Sequence, residues 1–274
     1  MDGNLVLDID INLLDYDLAV KVLKMAYSFE SWHNLLKLSD AFHRRIANNY
    51  DNYTAGNSYE NHQRPLVYYY GYSLLMKGLA NKELEDYDEA RTCIDEYSNL
   101  SWFQDLDDEG FKEVEYYKYI SQPNRFEVEL LSGNIEVMDH YVSFLSLNPK
   151  EILPGLNTLL KTATKFNLNV DPQLNLFSSD TSKLEDKSTN DVIIASYRQT
   201  FFLNMIKYKT NTQDFFTAIE YCIKLINSAD TTGADNVFKQ AIVYFESLRQ
   251  YANSTQIKIF ESKIKTIKER VEAS

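Results

Sequence analysis

The stretch from Tyr70 to Trp102, YGYSLLMKGLANKELEDYDEARTCIDEYSNLSW, most constrains what this chain can fold into. Apolar residues recur at helical spacing on both sides of the acidic break Glu85-Asp86-Tyr87-Asp88-Glu89. Acidic side chains favour a helix N-terminus, where they face the positive end of the helix dipole. The stretch therefore predicts two antiparallel helices joined by a tight turn. Gly78 and Ala90 are small where the two helices must approach closely, and Tyr87 opens the second helix.

Gly78, Tyr87 and Ala90 fall at the spacing of a tetratricopeptide repeat, a helix-turn-helix unit of about 34 residues. Looser copies of the pattern flank it. Tyr16 and Ala19 repeat the Tyr87/Ala90 spacing and read as the second helix of a unit whose first helix is missing. Trp32, Leu35 and Leu36 then occupy the bulky positions of a first helix, capped by Ser31. Phe215 and Ala218 repeat the spacing again after Asp214. The expected fold is all-α: a tetratricopeptide-like superhelix of helical hairpins with a C-terminal helical cap.

The expected organisation follows the breaks in this pattern. Residues 1–14 read as a linker or N-terminal segment, 15–170 as repeats, 171–189 as a polar loop, and 190–274 as a last repeat with capping helices. Residues 51–63 are polar and read as a loop, and Pro65 fits the first turn of the next helix. Asp107 or Asp108 caps a further helix, which Pro123 is expected to kink or interrupt. Two closing helices are expected over 234–251 and 254–271.

Composition excludes several classes. The net charge is -12, which argues against this chain gripping a phosphate backbone, because Lys and Arg drive that binding. No apolar run reaches the roughly 18 residues of a membrane span, and the acidic start is unlike a secretory leader. A cytoplasmic location fits. Cys93 and Cys222 read as buried free thiols.

Four runs carry a family resemblance: RPLVYYYGYS (64–73), EYSNLSWF (96–103), ELLSGN (129–134) and EILPGL (151–156). They resemble the sensor region of Bacillus-type helix-turn-helix transcriptional regulators, similar to the peptide-responsive quorum-sensing regulators. The resemblance spans roughly residues 13–170. It implies a tetratricopeptide body that binds a short peptide and controls an N-terminal DNA-binding head. No such head precedes residue 13, so DNA binding would belong to a parent protein. The alternative is a headless protein-binding adaptor or antagonist.

No catalytic constellation emerges. His33, His43, His62 and His140 are scattered, and no Cys-x-x-Cys, nucleophile elbow or phosphate-binding glycine loop occurs. Neither an enzyme nor a cofactor or metal is expected. A binding groove is the better expectation, because first helices of successive units line one surface of a solenoid. The groove-facing candidates are His33, Asn34 and Lys37; Tyr72, Leu75, Leu79 and Lys82; Asn124 and Arg125; and Asn204 and Lys207. Asn amides can pair with both groups of an extended peptide backbone, and Lys or Arg with its carboxylate end. The expected partner is a short peptide or protein segment. Apolar residues around Ala241–Phe245 also suit a homodimer.

Overall fold

The computed structural model describes residues 9–54, 63–104, 106–183 and 192–273. Among them every regular element is helical. The chain divides between Val137 and Met138 into two compact units. The expected break lay at the polar stretch 171–189 instead. That stretch carries two short helices as far as Lys183, and 184–189 lie outside the described residues.

The first unit holds α1 (Tyr16–Ser28), α2 (Trp32–Thr54), α3 (Leu66–Glu83), α4 (Tyr87–Ser98) and α5 (Asp108–Ser132). Side chains set the helix starts: the carboxylates of Asp15, Asp86 and Asp107 accept from the amides of Leu18, Glu89 and Gly110. Each helix packs against its neighbour in sequence, and α3 also touches α1 and α5. The core is Leu23, Phe42, Tyr69, Leu74, Tyr97 and Tyr117 with their neighbours. The predicted close crossing is present: a Cβ on Gly78 would come within 3.1 Å of the Cys93 Cβ. Two expectations are corrected. Helix α5 runs unbroken through Pro123, held beyond it by ion pairs to α3 and α4. Residues 9–14 are docked rather than extended: Ile11 is buried, and Arg45 binds the carbonyls of Ile11 and Leu14.

The second unit holds α6 (Met138–Leu147), α7 (Ile152–Phe166), α8 (Asp171–Leu176), α9 (Ser178–Lys183), α10 (Val192–Asn211), α11 (Phe215–Thr232), α12 (Asp235–Leu248) and α13 (Ser254–Ala273). Helix α10 packs between α7 and α11, and α11 also receives α12 and α13. The rings of Phe245 and Phe260 stack at 3.8 Å between α12 and α13. The first part of the segment expected to be a loop folds because Val170 and Phe177 are buried at the two ends of α8. The Val170 amide donates to the Tyr208 hydroxyl, and Lys209 pairs with Asp171 at 2.9 Å.

One backbone device recurs. Helices α1, α3, α5, α7, α10 and α11 each end on a residue in the left-handed region: Glu30, Glu85, Gly133, Asn167, Gln213 and Gly233. In each case the next amide reaches back five residues to a helix carbonyl, at 2.9–3.0 Å. In α1–α2, α3–α4 and α10–α11 the residue making that bond, Ser31, Asp86 or Asp214, also stands immediately before the next helix, followed by an aromatic residue. The three hairpins therefore share one turn. This makes α1 the first helix of its hairpin and α2 the second, the reverse of the expected order.

Candidate functional site

Because α3 touches both α1 and α5, the outward side chains of the three helices form one face of the first unit. Its spine lies on α3, where Tyr68, Tyr72, Leu75, Leu79 and Lys82 recur at spacings of three and four residues, one helix side. The rings of Tyr68 and Tyr72 stack with centroids 5.8 Å apart. The Arg64 guanidinium lies over Tyr68 at 4.3 Å, and the Lys24 ammonium over Tyr72 at 5.8 Å. Tyr27 of α1 and Tyr116 of α5 flank the spine and remain 39% and 51% exposed.

Tyr72 is only 7% exposed, and its hydroxyl has no hydrogen-bond partner. Burial pushes its ionisation upward, and the neighbouring hydroxyls of Tyr68, Tyr116 and Tyr27 push the same way. It is a neutral phenol. An unpartnered buried hydroxyl costs about 1–3 kcal/mol. At the far end of the spine, Lys82 reaches Glu127 at 2.6 Å and Glu83 at 3.7 Å. Burial alone would lower its pKa; the two carboxylates outweigh that and hold it above the usual lysine value. Lys82 therefore links α3 to α5, and its charge is already matched.

The other expected groove residues are dispersed. His33, Asn34 and Lys37 sit on α2, where Asn34 donates to the Ser31 hydroxyl at 2.8 Å. Asn124 and Arg125 turn toward α4: Asn124 donates to the Tyr97 hydroxyl at 2.8 Å and Arg125 pairs with Asp95. Both join α4 to α5. Asn204 lies in the second unit and is buried; its amide donates to Asn157 Oδ1 at 2.9 Å between α7 and α10. Lys207 is half-buried on the same α10. Tyr72, Leu75, Leu79 and Lys82 thus share one face, whereas the remaining seven lie elsewhere. Lys24, Tyr27 and Tyr116 were missed. Their sequence signal is the i, i+3 step from Lys24 to Tyr27, visible only once α1 is known to be a first helix.

One cluster looks like acid-base machinery. His43 Nδ1 lies 3.0 Å from the Ser73 hydroxyl, and Asp40 stands one turn earlier on α2. Ser73 donates its own proton to the Tyr70 carbonyl at 2.7 Å, so His43 Nδ1–H must be the donor to Ser73. Ser73 is fully buried, and Asp40 is drawn to Lys77 at 3.0 Å. The arrangement ties α2 to α3 and offers no accessible nucleophile. The thiols of Cys93 and Cys222 are buried and pushed up to about 12 by that burial. Among the described residues no three His, Cys, Asp or Glu side chains converge on a point where a metal could bind, and no helix is long and apolar enough to cross a membrane. No family of known proteins, no curated protein and no solved structure matches this chain.

Proposed function

We propose that this chain is a peptide- or protein-binding body built of tetratricopeptide-like hairpins, and that its ligand lies along the tyrosine face of α1, α3 and α5. The observation that carries the reading is the exposed pair Tyr27 and Tyr116 bracketing the stacked Tyr68 and Tyr72. Tyrosines supply large contact area at little entropic cost and are enriched where proteins meet ligands. Lys24 and Arg64 beside those rings add polar anchors. The four sequence runs that resemble peptide-responsive regulators support the more specific role of a sensor. In that role a bound peptide would favour one arrangement of the helices and so bias a DNA-binding head carried by a parent protein. The face itself reads equally as an adaptor's docking surface, and the peptide response separates the two.

The test is a screen of linear synthetic hexapeptide mixtures by thermal melting of the whole chain. A ligand that binds only the folded state raises the melting temperature with its concentration. The expected result is such a rise, reduced by Tyr116→Ala and unchanged by Trp102→Ala, which alters an exposed aromatic on the α4–α5 connection. A screen in which no mixture shifts melting would remove the peptide-sensor reading.

A further inference from the structure

We infer that the part of the ligand seated over Tyr72 carries a carboxylate, gripped by the Lys24 ammonium and the Tyr72 hydroxyl. This deepens the reading above and rests on it.

Several charges on and around the face are already matched. Lys82 is paired with Glu127 and Glu83. On the neighbouring α2, Asp40 takes Lys77 and Arg44. Asp17, at the other end of α1, accepts from the Tyr69 hydroxyl at 3.0 Å. Lys24 stands apart: among the described residues its ammonium meets only the Tyr72 ring and no carboxylate. Its own helix cannot supply one. The neighbours three and four residues away are Val20, Lys21, Tyr27 and Ser28, and none carries a carboxylate.

The ring beneath that cation carries the one tyrosine hydroxyl among the described residues that is both buried and unpartnered. A neutral phenol can donate, and an ammonium can only donate. Both donors belong to the same Tyr72 contact, and the group that accepts from donors while cancelling the positive charge is an anion. For a peptide or protein segment that anion is a carboxylate, from an Asp or Glu side chain or from a free C-terminus. Such charge-assisted bonds are the stronger kind. The hydroxyl is shielded from solvent in the free protein, and the exposed side chains of Lys24, Tyr27 and Tyr116 stand around it. Binding then relieves an unsatisfied group that the free protein must carry.

The test uses three sets of synthetic hexapeptide mixtures. One ends in a free acid and contains no Asp or Glu. One is C-terminally amidated and contains Asp or Glu. One is amidated with neither. Either carboxylate-bearing set is expected to reach half its melting shift at about tenfold lower concentration than the neutral set, and the winning set identifies the source of the carboxylate. Lys24→Met should abolish that preference. Tyr72→Phe should weaken carboxylate peptides about tenfold while raising the melting temperature of the unliganded protein. A merely structural tyrosine would not give those opposite signs. If neutral amidated peptides bind as well as the others, or if Lys24→Met changes nothing, the carboxylate anchor is wrong while peptide binding stands. If no set shifts melting, the peptide reading fails and the anchor with it.

Discussion

The Nδ1–H of His43 donates to the hydroxyl of Ser73 at 3.0 Å, a bond that needs the proton on Nδ1 and sits where charge is unwelcome. Burial lowers the His43 pKa, the neighbouring Lys77 lowers it further and Asp40 opposes both, leaving it at about 4. The unfolded histidine titrates near 6.5, so on acidification the unfolded chain takes the proton first. Stability contributed by neutral His43 is complete above pH ~6.5 and lost as pH falls toward ~4, with a total of about 3 kcal/mol. Urea unfolding at several pH values in that window should show a steeper loss for the native protein than for His43→Gln. Parallel losses would show that His43 titrates normally in the folded state.

Gly71 faces the ring of Tyr117, which is fully buried and donates to the Tyr68 carbonyl at 2.7 Å. A methyl group there would overlap a ring that cannot withdraw. Gly71→Ala should cost about 2 kcal/mol or more, despite a helix-propensity gain of about 1 kcal/mol. Gly78→Ala, whose new methyl would come within 3.1 Å of the Cys93 Cβ, should be the milder of the two. Denaturant midpoints of the two variants establish the order.

Gln213 is exposed and holds a left-handed conformation, φ 61°, that a side chain disfavours. Gln213→Gly should raise stability by about 0.5–1 kcal/mol. The same residue placed in the exposed middle of α11, as Glu220→Gly, should lower it by about 1 kcal/mol. Thermal melts of the two glycine variants should therefore move in opposite directions.

Asn204 and Asn157 form a buried amide pair between α7 and α10, and Asn157 also donates to the Tyr197 carbonyl at 3.3 Å. Asn204→Ala strands the Asn157 oxygen and should cost about 2 kcal/mol. The double variant Asn204→Ala/Asn157→Ala should cost less than the sum of the single changes. Strict additivity in a double-mutant cycle would mean that the pair is not coupled.

How much of this could be read from the residues depended on how local the cause was. The carboxylate caps Asp15, Asp86, Asp107 and Asp214 were legible, because each acts on an amide three residues away. The Gly78–Ala90 crossing was legible for the same reason, and so was the pair of closing helices. The role of α1 was not. Asp15-Tyr16-x-x-Ala19 copies Asp86-Tyr87-x-x-Ala90, but any capped amphipathic helix can show that spacing. What decides the order is the left-handed turn at Glu30, and a glutamate there gives no glycine signal. Asn204 was misplaced because its partner lies 47 positions away. The helices α8 and α9 were missed because a polar sequence is ordered there by Tyr208 and Lys209 from a distant helix. At the candidate face, Tyr72, Leu75, Leu79 and Lys82 could be placed together by helical period alone. Lys24, Tyr27 and Tyr116 required knowing which helices are neighbours.

The division at Val137 has a practical consequence for spectroscopy. The chain has two tryptophans, Trp32 and Trp102, and both belong to the first unit. Emission excited at the red edge of absorption therefore arises from the first unit alone, whereas far-ultraviolet dichroism senses helices throughout. Recording both signals in a single titration sets the first unit against the whole polypeptide without labels or truncation.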